Sequence, residues 1–175
     1  MVFENNDGTP TGAFLRSTNT QQEKPFRGMA NNSDRATGYF SFGGGKDATV
    51  ACIFESGIDA MSYAGLQKAS GNAAWEGRYY VASGGTGDSN ILTFLQGHPN
   101  VNSVILCHDN DAGGHKQAES LGDKLRPMGY NVSRSVPRGK DFNEDLLDTQ
   151  RQPGAGERQA VPIAVQDFVE DFVME

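Results

Sequence analysis

The sequence predicts an α/β fold: a mainly parallel four-stranded sheet flanked by helices, preceded by a small antiparallel β segment. Two observations predict it. Short apolar runs rich in β-branched and aromatic residues recur between residues 50 and 135. Each is followed by a stretch with helix-start residues or helical spacing. This alternation of strand and helix argues for parallel strands joined by right-handed crossovers.

Residues 1–46 form the β-rich N-terminal segment. They are rich in Gly, Asn, Thr and Ser, and runs such as Ala13-Phe14-Leu15-Arg16 and Gly38-Tyr39-Phe40-Ser41-Phe42 read as brief strands between turns. Residues 47–149 form the main domain. Its first strand, 50–54, leads to a helix over 57–69, and its second, 78–82, to a helix over 89–97. The third strand, 103–108, leads to a helix over 112–127, whose Ala118, Leu121, Leu125 and Met128 make one apolar face. Pro127 and Gly129 mark its end. The fourth strand, 130–135, leads to a short helix over 142–149. Residues 150–162 read as a linker. Beyond it, Val165, Phe168, Val169, Phe172 and Val173 have the spacing of an amphipathic helix, so 150–175 is assigned as linker and C-terminal helix.

The 175 residues are enough to bury a core without staples. No run approaches the ~20 apolar residues of a membrane span. Residues Met1 to Asn6 lack the basic and apolar regions of a signal peptide, so a cytoplasmic setting is expected. Cys52 and Cys107 lie inside apolar strand patterns and read as buried free thiols; two cysteines cannot build a four-cysteine zinc site. Net charge is −7, but its distribution is uneven. From Asp141 onward, nine acidic residues face two arginines, which leaves residues 1–140 neutral. Within 115–140, Lys116, Lys124, Arg126, Arg134, Arg138 and Lys140 outnumber Glu119 and Asp123. That surplus suits either a phosphate backbone or an ordinary solvated face.

The chemistry-bearing residues fall at strand ends. Glu55 ends the first apolar run, and Asp109-Asn110-Asp111 ends the third. In open α/β sheets the functional crevice lies outside the carboxyl ends of the strands. Two unit charges about 4 Å apart repel by roughly 4 kcal/mol at an effective dielectric near 20. Three converging carboxylates therefore call for a cation, a proton or distance, and magnesium with its oxygen ligands is the economical answer. Strand alternation puts Asp109 and Asp111 on one side if the strand runs that far. Ser56 with Asp59, and Asp141 with Glu144, each fit a helix capping box, so Asp59 and Asp141 read as structural, metal-linked or both. Ser83-Gly84-Gly85-Thr86-Gly87 follows the second strand, where backbone N–H groups suit a phosphate; a plain turn is the alternative.

Glu55 with Ser56-Gly57-Ile58-Asp59-Ala60, the run Val104 to Gly113 with its DxD, and Gly139-Lys140-Asp141-Phe142-Asn143-Glu144 together resemble a toprim domain. This is the catalytic module shared by bacterial primases, topoisomerases and certain nucleases. Val81-Ala82-Ser83-Gly84-Gly85-Thr86 is similar to the family's second-strand loop. The match covers residues 50–148, and its details most resemble toprim proteins of bacterial mobile elements, as does the turn-rich stretch from Val2 to Gly44. The resemblance implies a Rossmann-like toprim fold and nucleotidyl transfer or phosphodiester hydrolysis on DNA. It implies proton transfer by Glu55 and Mg²⁺ (or Mn²⁺ as substitute) on Asp109 and Asp111, with Asp59 and Asp141 as accessory carboxylates. Gly84, Gly85, Thr86, Arg138 and Lys140 are the matching candidates for phosphate or nucleic acid. Further domains or replication and transfer proteins are the expected partners.

The chain also departs from relatives of this type. It has no cysteines for the zinc ribbon that usually precedes a primase domain. Tyr39, Tyr63, Tyr79, Tyr80 and Tyr130 read as strand or helix residues rather than topoisomerase nucleophiles. A fragment, one part of an assembly and a stand-alone domain all stay open, as does a non-catalytic DNA-binding or scaffold role. A haloacid-dehalogenase-type phosphatase would place its DxD on an early strand, and a receiver-like switch would want paired acids after the first strand, where Glu55 is followed by Ser56.

Overall fold

Two sheets organise the chain in the computed structural model, which describes residues 1–19, 23–34, 37–84 and 87–151 and the backbone of 165–167. The first is antiparallel and three-stranded, in the order β1 (Val2–Glu4), β2 (Pro10–Arg16) and β3 (Arg27–Met29). The second has six strands. Its parallel centre is made of β5 (Val50–Phe54), β6 (Arg78–Ala82), β7 (Ser103–Leu106) and β8 (Asn131–Ser135). These are the four strands the apolar runs predict. Two antiparallel edges complete it, β4 (Phe40–Gly43) against β6 and β9 (Val165–Asp167) against β8.

The sheet order is β4-β6-β5-β7-β8-β9, so β5 and β7 sit side by side although β6 intervenes in sequence. The chain leaves β5 through α1 (Gly57–Ala69) toward β6 and returns through α2 (Ser89–Gly97) to β7. It then runs through α3 (Ala112–Leu125) to β8 and into α4 (Phe142–Arg151). The direction reverses between β5 and β7, which opens a crevice at their carboxyl ends.

Strand alternation divides the apolar residues between two cores. Ala51, Ile53, Val81, Val104 and Leu106 pack with Phe94, Leu95, Leu121 and Leu125 on one face. Cys52, Phe54, Tyr80, Ile105 and Cys107 pack with Ala60, Tyr63 and Phe142 on the other. Burial on both faces is why these strands read as continuous apolar runs rather than alternating ones. Cys52 and Cys107 are buried free thiols, as expected. Tyr63 and Tyr80 are buried, and desolvation drives their hydroxyl pKa values up, so neither presents an accessible nucleophile.

Three features differ from the sequence reading. Phe40–Gly43 does not belong to the separate antiparallel segment; it joins the main sheet, where Phe42 stacks on Tyr80 with ring centroids 5.0 Å apart. The third strand stops at Leu106 rather than 108, so strand alternation does not align Asp109 with Asp111. At the C-terminus, Val165–Asp167 is a strand along the open edge of β8 rather than the start of a helix. Residues 168–173 of the expected helix lie outside the described residues.

Candidate active site

Glu55 follows the last residue of β5, and Ser56 caps α1. The Ser56 hydroxyl accepts from the Asp59 N–H at 3.3 Å and donates to Asp59 Oδ2 at 2.5 Å. Asp59 Oδ1 accepts from the Asn143 N–H at 3.2 Å, so this carboxylate ties α1 to the start of α4. Asp59 thus belongs to the cap of α1 and also fastens that helix to the start of α4.

Asp109 and Asp111 flank the turn between β7 and α3. Asp111 is the N-cap of α3, its Oδ1 accepting from the Gly114 N–H at 2.9 Å. Gly114 is required there. A methyl group in its place would overlap the Asp109 carbonyl and stand 2.8 Å from the Asp109 nitrogen. The same turn is bound to the loop after β8. The Asn110 N–H donates to the Lys140 carbonyl at 2.8 Å, and Asn110 Nδ2 donates to the Pro137 carbonyl at 3.2 Å.

The loop after β8 is stitched in turn by the first turn of α4. Asp145 accepts from the N–H groups of Arg138 and Gly139 at 2.8 and 2.7 Å. Glu144 accepts from the Lys140 N–H at 2.6 Å, and Asp141 Oδ1 accepts from the Glu144 N–H at 2.7 Å. Asp141 is thus a helix cap as well as a site carboxylate. The spacing had suggested a closed box in which Glu144 reaches back to Asp141, but Glu144 binds the preceding residue's N–H.

These loops converge. Glu55, Asp59, Asp109, Lys140 and Asp141 all line one pocket of about 280 Å³, with Gly84 on its wall. Asp111 stands beside it, exposed, and acts electrostatically on both Glu55 and Asp109. Arg138 is exposed, and its side chain does not line the pocket. Gly85 and Thr86 lie outside the described residues. The basic surplus of 115–140 does not form a single face: Arg134 is buried, Arg126 pairs with Asp123 at 3.0 Å, and Lys124 pairs with Asp88 at 2.5 Å.

Sequence reasoning missed several contributors. Arg16 and Arg27 are opposite each other across β2 and β3 and both line the pocket. No motif marks them, because only the folding of the small sheet over the pocket brings them there. Asp145 was missed too, although its place in an acidic first helical turn was visible.

The electrostatics are those of a crowded acidic site. Burial raises the Asp109 pKa to about 7, and the neighbouring Glu55, Asp59, Asp141 and Asp111 carboxylates add to it. Burial likewise raises Glu55; the Asp109 N–H opposes this, Asp111 and Asp59 reinforce it, and Lys140 opposes it. Asp59 is raised by burial, which outweighs its Ser56 hydrogen bond. Asp111 alone is lowered, chiefly by the Gly114 N–H. Glu55 Oε1 is buried without a hydrogen-bond partner. Among the described residues, no three His, Cys, Asp or Glu side chains already stand together as a set of metal ligands. No helix among the described residues is long and apolar enough to cross a membrane.

This sheet order, with acids at the switch point, is that of a toprim fold. Residues 52–146 match the Toprim-like family, and the chain belongs to that family. No curated protein shows significant sequence similarity to it. Among solved structures it is similar to the primase fragment of the bacteriophage T7 primase-helicase, with TM-score 0.60, 17% identity, and coverage of 85% of this chain and 57% of that one. It is also similar to a DNA primase domain from Pseudomonas aeruginosa, with TM-score 0.55, 18% identity, and coverage of 86% and 48%. A third is the RNA polymerase domain of the Mycobacterium tuberculosis primase, with TM-score 0.50, 16% identity, and coverage of 84% and 52%. The chain thus spans about half the length of these relatives.

Proposed function

We propose that this chain is a Mg²⁺-dependent toprim domain acting on DNA by primase-like nucleotidyl transfer or phosphodiester hydrolysis, within a replication or transfer protein of a mobile element. What carries the reading is the meeting of Glu55, Asp59, Asp109 and Asp141 with Lys140 at the carboxyl edge of the sheet. The similarity of the fold to three primase domains supports the primase-like direction. The mobile-element setting rests on the sequence resemblance of residues 2–44 and 50–148.

The residues suit a hard divalent cation. An Asp109 carboxyl raised to about 7 by burial and then by its acidic neighbours, and a Glu55 oxygen buried without a partner, are groups that a hard divalent cation would satisfy. Asp109 and Asp111 would hold the ion, with Asp59 and Asp141 close enough to add charge. When bound, such an ion orients a phosphate and stabilises attacking and leaving oxygens. Glu55, half-buried and with its proton affinity raised, takes or returns a proton at its carboxylate. Lys140 offsets phosphate charge at the pocket wall.

A second reading has its own support. Asp59, Asp111 and Asp141 all serve as helix caps or ties, so their presence is explained without turnover. That favours a non-catalytic DNA-binding or scaffold domain. Incubation with labelled single- and double-stranded DNA, nucleotides and Mn²⁺, scored for both longer and shorter products, separates the two. Products that vanish in Asp109→Asn and Asp111→Asn support the enzyme. DNA binding with neither extension nor cleavage supports the scaffold. Unchanged turnover in both variants removes the metal assignment.

A further inference from the structure

The small antiparallel sheet turns one face toward the acidic pocket. Strand alternation puts Phe14, Arg16 and Arg27 on that face, and all three line the pocket. Arg16 stands in register with Arg27. The Ser17 N–H donates to the Phe26 carbonyl at 2.9 Å, and the Ala30 N–H donates to the Ala13 carbonyl at 2.8 Å. Those are hydrogen-bonded positions, so Arg16 and Arg27, one step in from Ser17 and Phe26, occupy a non-hydrogen-bonded one. Side chains are closer there, with Cα atoms about 4.5 Å apart.

Two like charges directly opposite each other on neighbouring strands destabilise a sheet. An adjacent acid would relieve them. Neither guanidinium forms an ion pair or a side-chain hydrogen bond among the described residues, and both arginines are exposed. Arg16 acts electrostatically on Asp59, yet no ion pair joins them.

The pocket therefore combines a group of carboxylates that calls for a cation with two unpaired arginines that call for an anion. A phosphate with a cation on its far side satisfies both. A guanidinium presents a planar fork of donors that matches phosphate oxygens. Phe14 and Ile58 add an apolar edge to the same pocket, a surface for a sugar or base.

We propose that Arg16 and Arg27 clamp one phosphate of a nucleotide unit, facing the carboxylates of the acidic pocket, with its sugar or base on Phe14 and Ile58. The clamp rests on the reading of that pocket as a phosphate-transfer site. Its phosphate comes from a nucleic-acid strand or a free nucleotide, which present the same oxygens.

The test measures binding in Mg²⁺ of a short fluorescent single-stranded DNA, by anisotropy, and of ATP, by calorimetry. Arg16→Gln and Arg27→Gln, both exposed changes, should each weaken at least one ligand by about tenfold, since each removes a charge-assisted contact. Loss for DNA alone assigns the clamp to a strand, and loss for ATP alone assigns it to a free nucleotide. The double variant Arg16→Lys with Arg27→Lys keeps both charges, and with them any counter-ion role toward the acids. It should melt like wild type and still bind several-fold more weakly, because the fork is gone. Unchanged affinity in the Gln variants, full affinity in the Lys double variant, or no binding of either ligand to wild type at millimolar concentration each overturn the clamp. Asp109→Asn keeps the two readings apart. Turnover lost in Asp109→Asn, with affinity intact in the Gln variants, removes the clamp and leaves the metal site. Affinity lost in the Gln variants, with turnover intact in Asp109→Asn, keeps the clamp and removes the metal site.

Discussion

Replacing Asp109 by Asn should stabilise the metal-free protein while destroying its site. In the fold, the Asp109 carboxyl sits near 7 rather than 3.8, because it is partly buried and faces four other carboxylates. Its folded pKa is raised, so the folded state holds the proton more tightly than the unfolded state. Stability therefore falls as pH rises from about 4 to about 7, and the full cost is present above that. A shift of about three units corresponds to a ceiling of about 4 kcal/mol. Asp109 is only half-buried, and solvent screening brings this to about 2 kcal/mol. At pH 5 less than half of it remains. Asn carries no charge, and no described hydrogen bond depends on the Asp109 side chain. In EDTA at pH 8, Asp109→Asn should raise the melting temperature by about 4–8 °C, and clearly less at pH 5. Thermal unfolding followed by circular dichroism measures this. A melting temperature at pH 8 equal to or below wild type would refute the view that burial and repulsion of a charged Asp109 cost stability.

Other perturbations follow from the same geometry. Mg²⁺ or Mn²⁺ should bind more tightly as pH rises through 7, since Asp109 must lose its proton to act as a ligand; calorimetry at pH 6 and pH 8 should differ several-fold, and equal affinities would count against Asp109 as a ligand. Glu55→Gln should reduce turnover while largely sparing metal affinity, read by product formation and calorimetry in parallel. Asp145→Ala removes acceptors from the Arg138 and Gly139 N–H groups and should cost about 2–4 kcal/mol in urea unfolding. Gly114→Ala drives a methyl group into the Asp109 backbone and should cost about 1–3 kcal/mol, together with loss of metal binding.

The central strands and all four main-domain helices were readable because strands buried on both faces must be apolar throughout. Runs such as Val50 to Phe54 and Val104 to Leu106 carry that requirement openly. The edges were not readable. Phe40–Gly43 pairs with β6 because Phe42 finds Tyr80, a contact nearly forty residues away in sequence. Val165–Asp167 has helical spacing around it, yet the open edge of β8 offers unpaired backbone groups that a strand can satisfy. Arg16 and Arg27 carry no signature of their own and reach the acidic pocket only through the small antiparallel sheet.

The order of residues alone determines that acids follow the first and third main strands, that each meets a helix start, and that a capping serine and two glycines stand beside them. These are local matters, settled by strand period, cap chemistry and turn sterics. Tertiary structure decides that β5 lies next to β7, that the Asn110 and Lys140 loops bind one another, and that five side chains from three strand-to-helix junctions share one pocket. It also decides protonation: Coulomb repulsion and desolvation depend on distance and burial in space, so the same aspartate that would ionise near 4 in an extended chain holds its proton to about 7 in the fold.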